Sequence, residues 1–81
     1  MAISKAELFT LIAKALKVSR KKISISSNSE NIENWDSLGQ LNILTELDQK
    51  LKGKVFSIKG MANALSSKKI VKILESHKLL K

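Results

Sequence analysis

The chain has 81 residues, a formal net charge of +8, no Cys, no Pro and three Gly, and 43% of its residues are hydrophobic. A single domain of this size lies near the lower limit at which an apolar core holds a chain folded, which argues against a large enclosed active site, and the apolar content with few helix breakers favours a compact helical fold over disorder. Without Cys there are neither disulfides nor thiolate metal sites, and any thiol chemistry must use a borrowed thiol.

The charge is unevenly spread. Glu30, Glu33, Asp36, Glu46 and Asp48 fall in a stretch with no Lys or Arg that carries −5; the remainder, with fifteen basic residues against Glu7 and Glu75, carries +13. Two faces of opposite sign are expected. The opening residues run straight into an amphipathic pattern, without the apolar stretch and cleavage site of a signal peptide, and no apolar run approaches the ~20 residues that span a bilayer. A soluble, cytoplasmic protein is expected.

In chain order, Ser4 and Glu7 have the spacing of a capping box, and Leu8, Leu11, Ile12, Ala15 and Leu16 recur at helical spacing, predicting a first helix over residues 4–17. Residues 18–35 have no such period and are rich in Ser and Asn, with Ile23, Ile25 and Ile32 as apolar anchors. They read as a long ordered loop, since the short alternation at Ile23–Ser26 has no second strand to pair with. Loops of this length in compact domains are usually functional.

A second helix starts at Asp36 or Ser37, both good caps, and its core face is read as Leu38, Leu41, Leu44, Leu47 and Leu51, widened by Ile43. Lys50, Lys52 and Gly53 suit its C-terminal end. Across residues 54–65 a weak pattern of Val55, Phe56, Ile58, Met61, Ala64 and Leu65, broken by Gly60, predicts a connector with a short third helix. Ser66 or Ser67 caps a last helix with Ile70, Val71, Ile73, Leu74 and Leu79 inward, although Lys68 and Lys69 in its first turn oppose the helix dipole. The fold expected for residues 1–81 is one all-α domain, a four-helix bundle with a long first loop and a short third helix.

The segment Trp35-Asp36-Ser37-Leu38-Gly39-Gln40-Leu41-Asn42-Ile43-Leu44, placed at the start of the second helix after this loop, resembles the acyl carrier protein family. That family has Asp-Ser-Leu at this place, followed by apolar residues matching Leu41, Ile43, Leu44, Leu47 and Leu51. The likeness in length and element order covers nearly the whole chain; its specific part is residues 35–51. The resemblance implies that Ser37 carries a covalent 4′-phosphopantetheine arm, whose thiol holds an acyl or aminoacyl group as a thioester. It implies as partners a phosphopantetheinyl transferase, a loading enzyme and a downstream acyl-accepting enzyme. Asp36 then helps position the transferase's metal, or serves only as a cap. Leu38, Gly39, Glu46 and Asp48 become candidates for partner recognition. Gly39 in a helix costs ~1 kcal/mol relative to Ala, which fits close approach of the arm or a partner, or equally a tolerated surface glycine. Trp35 is expected to pack the loop onto the helix start.

The basic balance departs from a family whose members are typically acidic, and it points to a dedicated pathway. A small basic helical nucleic-acid-binding domain is the competing reading, through Arg20-Lys21-Lys22 and Lys68, Lys69 and Lys72. It has no aromatic stacking motif and no helix-turn-helix spacing behind it, so no nucleic acid is expected. An unmodified helical interaction module is a further alternative. His77, the single histidine, has no identifiable partner, so neither catalytic residues nor a metal site is expected. The protein is expected to be a monomer and not itself an enzyme.

Overall fold

In the computed structural model, which describes residues 2–81, the chain forms three α-helices, α1 (Lys5–Leu16), α2 (Ser37–Lys50) and α3 (Ser67–Ser76). Single 3-10 turns occupy Arg20–Lys22 and Met61–Asn63. The capping box at the head of α1 is formed: Glu7 N donates to Ser4 Oγ at 3.1 Å and Ser4 N donates to Glu7 Oε1 at 3.2 Å. The backbone hydrogen bond from Ser4, aided by the Lys50 and Lys81 ammonium groups, holds the Glu7 carboxyl below the ordinary value of 4.5. Leu8, Ile12, Ala13, Ala15 and Leu16 are the buried face of α1.

α1 and α2 lie antiparallel, with Lys14 near Glu46 (3.7 Å) at one level and Glu7 near Lys50 (3.8 Å) at another. Exposed pairs of this kind contribute little. The apolar seam between the helices carries the packing: Leu8, Ile12, Leu16, Ile43, Leu47 and Leu51 are fully buried, joined by Val55, Met61, Ile70 and Leu74. The two ends of the described chain are tied together, since Ile3 N donates to Leu79 O (3.0 Å) and Lys81 N to Ile3 O (2.8 Å). These bonds bring Ile3, Leu79 and Leu80 into the same core.

The long loop is ordered by its own polar side chains, which is the role that its Ser and Asn content permits. Ser27 Oγ accepts from Ser24 N (2.9 Å), and Asn28 Oδ1 accepts from Glu30 N (2.7 Å). Asn34 Nδ2 donates to the Leu16 carbonyl (3.0 Å), closing the end of α1. Ile23 and Trp35 are the buried anchors and Ile32 is half-buried, whereas Ile25 is exposed at a turn.

Two expectations are corrected. The connector holds no third α-helix, so the α-helices number three among the described residues. Val55, Ile58, Met61 and Ala64 are buried at a spacing of three, and each is bonded to the last: Ile58 N to Val55 O, Met61 N to Ile58 O and Ala64 N to Met61 O, at 3.0–3.3 Å. A repeat of three suits successive 3-10-type turns rather than an α-helix, and Gly60 within it has a left-handed φ of +88° that an α-helix does not admit. Phe56 and Leu65 fall off this repeat and are exposed.

The second correction concerns α2. Leu38 and Leu41 are 65% and 50% exposed, and the inward face is Gly39, Gln40, Ile43, Leu44 and Leu47. Each step of three residues falls about 60° short of a full helical turn, so a stripe beginning at Leu38 has drifted to the opposite face by Leu47.

α3 begins where expected, with Lys69 N donating to Ser66 Oγ at 3.1 Å, and buries Ser67, Ile70, Val71 and Leu74. Ser67 is fully buried and its hydroxyl has no hydrogen-bond partner. A buried hydroxyl left unpaired costs about 1–3 kcal/mol. Ser67→Ala is therefore expected to stabilise the domain by about 1 kcal/mol, read as a rise of about 4–8 °C in the thermal midpoint. An unchanged or lowered midpoint would show that the hydroxyl is satisfied.

Candidate functional site

The start of α2 is built from the loop side by a buried polar network. Trp35 is 3% exposed, and its Nε1 donates to Gln40 Oε1 at 2.7 Å. Gln40 is itself 5% exposed, and its Nε2 donates to the carbonyls of Met61 and Ala64, each at 3.1 Å. One side chain thus joins the loop, α2 and the connector, with both ends of its amide satisfied. Trp35 packs the loop onto the helix start, as anticipated. Gln40 escaped sequence reading because a polar residue inside an apolar stripe looks like an outward position.

Gly39 is the second fixed point. It is buried, and a Cβ there would overlap the carbonyl oxygen of Asn34 and come within 2.8 Å of Leu16 Cδ2. Gly39 is therefore not a tolerated surface glycine, and the close approach it allows is that of the chain's own loop.

With Trp35 and Gly39 seated, Asp36 and Ser37 have defined places. Asp36 is the N-cap, with Gly39 N donating to its Oδ1 at 2.8 Å, and it is exposed. Ser37 opens the helix and is exposed, with no side-chain hydrogen bond among the described residues. Its hydroxyl stands at the positive end of the helix dipole, where a phosphate is favoured by open backbone N–H groups. Next to it, exposed Leu38 and Leu41 give the outer face of α2 an apolar character. An open cleft of about 220 Å³ runs beside this point, lined by Lys17, Asn34, Asp36, Leu38, Gly39 and Asn42 among others.

The other proposed recognition residues have internal work. Glu46 is half-buried beside Lys14. Asp48 Oδ1 accepts from Val55 N (3.0 Å) and Phe56 N (3.2 Å), which anchors the connector to the end of α2. Of the five acids in the negative stretch, Glu30 and Glu33 are exposed without ion pairs among the described residues, Asp36 caps the helix, and Glu46 and Asp48 are engaged. His77 lies exposed at the end of α3. Among the described residues no cluster of His, Cys, Asp or Glu is arranged to hold a metal ion, and no helix is long and apolar enough to cross a membrane.

Comparison of the chain with protein-family models, curated proteins and solved structures gives no match.

Proposed function

We propose that this chain is a carrier protein of the acyl carrier type, with Ser37 as the attachment point for 4′-phosphopantetheine. The observation that supports it most is the exposed, unbonded Ser37 hydroxyl at the head of α2, flanked by an exposed Asp36 and an exposed Leu38. A transferase needs that oxygen free to attack the pantetheine-bearing phosphorus of coenzyme A, so that the Ser37 O–P bond forms as the pyrophosphate P–O bond breaks, with adenosine 3′,5′-bisphosphate leaving and the serine proton passing to a base of the transferase. The new phosphodiester then gains from the helix start. The arm supplies the thiol that this chain lacks. The protein's own part is to hold Ser37 outward on a rigid helix and to present Leu38 and Leu41 to each partner.

In this reading the chain performs no bond chemistry. It moves an acyl or aminoacyl thioester from a loading enzyme to an accepting enzyme, as a monomer in the cytoplasm. Tethering raises the concentration of the intermediate near each partner. In this reading the turn Met61–Asn63 takes the part of the short third helix expected of the four-helix carrier fold. The fully buried residues of α1, α2 and α3 close the interior, so a long acyl chain enters only if the helices part.

The test is incubation with coenzyme A and a broad-specificity phosphopantetheinyl transferase, followed by intact-mass measurement. The wild-type protein is expected to gain the mass of one arm. Ser37→Ala is expected to gain none while keeping its fold, because the residue is exposed and makes no side-chain hydrogen bond. A wild-type protein that stays unmodified, or a Ser37→Ala protein that is modified, would refute the assignment.

A further inference from the structure

Two basic runs far apart in the sequence meet at one serine. Ser27 Oγ donates to the Lys22 carbonyl at 3.2 Å, and the Ser27 carbonyl accepts from Ser67 N at 2.9 Å. Ser27 thus links the end of the turn Arg20–Lys22 to the first residue of α3, whose first turn carries Lys68 and Lys69, with Lys72 one turn further on. Lys21, Lys22, Lys68, Lys69 and Lys72 are all exposed, and none joins an ion pair among the described residues. Arg20 is different: it donates to Thr10 Oγ1 (3.3 Å) and to the Ile23 carbonyl (3.0 Å), and its guanidinium lies 5.4 Å from the centre of the Phe9 ring. It pins the turn that presents its neighbours. Glu30 lines a shallow groove with Leu65 and Lys69, and leaves the lysines in clear excess.

Apolar side chains stand among these charges. Ile25 sits in the turn closed by Ser27 N donating to Ser24 O (3.1 Å) and is 46% exposed. Leu65, whose carbonyl accepts from Ser29 N (3.0 Å), is 42% exposed. Turn tips favour small polar residues, and an isoleucine there adds nothing to the core.

We propose that this side of the molecule is a docking surface for an anionic lipid bilayer, with the lysines of the Arg20–Lys22 turn and of α3 meeting headgroups while Ile25 and Leu65 enter the interface. A bilayer offers both a plane of negative charge and an apolar boundary within one side chain's reach. The phosphates of a nucleic acid would use the lysines but would leave Ile25 and Leu65 bare, and the aromatic beside the turn, Phe9, is half-buried with its ring against the Arg20 guanidinium rather than open to a base. The surface involves different residues from Ser37, so it stands or falls independently of the carrier reading.

The experiment uses the full chain as Ser37→Ala, so that no arm contributes, in co-sedimentation with vesicles of phosphatidylglycerol and phosphatidylcholine or of phosphatidylcholine alone. Binding is expected only to the anionic vesicles and is expected to weaken as salt rises. Removing charge with Lys21→Gln, Lys22→Gln and Lys68→Gln together should weaken binding on the order of a hundredfold, about fivefold per charge. Ile25→Ser should weaken it about tenfold with the salt dependence unchanged. All four positions are exposed, and an unchanged helical circular dichroism spectrum confirms that the variants are folded. The proposal is overturned by no binding to anionic vesicles at low salt, by equal binding of the triple variant, by an Ile25→Ser protein that binds as well as its parent, or by tighter binding to duplex RNA than to the vesicles.

Discussion

Gln40→Leu is expected to destabilise the domain by about 3–5 kcal/mol, although it replaces a polar residue with an apolar one of similar size in a buried position. The substitution leaves the Trp35 indole N–H and the Ala64 carbonyl without their partner, and takes one of two donors from the Met61 carbonyl, which keeps Ala64 N. Each buried polar group left unpaired costs about 1–3 kcal/mol, and relaxation with entry of water recovers part of the sum. A domain of this length has a total stability of roughly 4–12 kcal/mol, so the loss is a large share of it. Urea unfolding followed by the fluorescence of Trp35, the single Trp, reads the change as a lowered midpoint with the slope retained. A loss below about 1 kcal/mol would mean that the network does not hold the loop to α2. The consequence reaches the candidate site, because Trp35 immediately precedes the Asp36 cap and Ser37, the proposed attachment point.

Gly39→Ala tests the same junction from the backbone side, and here helix propensity and packing predict opposite signs. Propensity alone favours Ala by ~1 kcal/mol. The added methyl, however, meets the Asn34 carbonyl oxygen and Leu16 Cδ2. The first is backbone, in a residue whose φ of 76° is already left-handed, and its side chain is bonded to the end of α1. The Asn34 carbonyl cannot yield without disturbing the loop, and Leu16 is a buried side chain of α1 with little room to move. We expect packing to win, with a net loss of about 2–3 kcal/mol in the same unfolding measurement. A gain in stability would contradict the described fit of the loop against α2.

The places where the sequence was legible share one property: the signal was local. The capping box of Ser4 and Glu7, the cap at Asp36 and the cap at Ser66 depend on residues three apart, and each helix begins where those residues place it. The long loop was legible as ordered because Ser and Asn can bond their own backbone, and that is what Ser27, Asn28 and Asn34 do.

What was not legible depended on rotation or on distant neighbours. Leu38 and Leu41 were read as core because spacings of three look helical, yet the accumulated drift turns them outward and leaves them beside Ser37, where an apolar surface is of more use to a carrier. Val55, Ile58, Met61 and Ala64 repeat by three throughout, and that regularity marks 3-10 turns rather than a third helix. Gly39 and Gln40 could not be placed at all from local pattern, since one answers to a loop carbonyl and the other to an indole and two carbonyls of a different element. Asp48 was read only for its charge, and nothing in the local pattern marked it as the acceptor for two connector amides.

Fragmentation mass spectrometry of the transferase-treated protein addresses the account most directly, because it locates the added group among the many serines of the chain. The arm is expected on the peptide containing Trp35 to Gln40, with Ser37 as the only residue bearing it. A chain that gains no mass, or one that carries the group on a loop serine such as Ser24 or Ser26, would contradict the assignment of α2's first residue as the point of attachment.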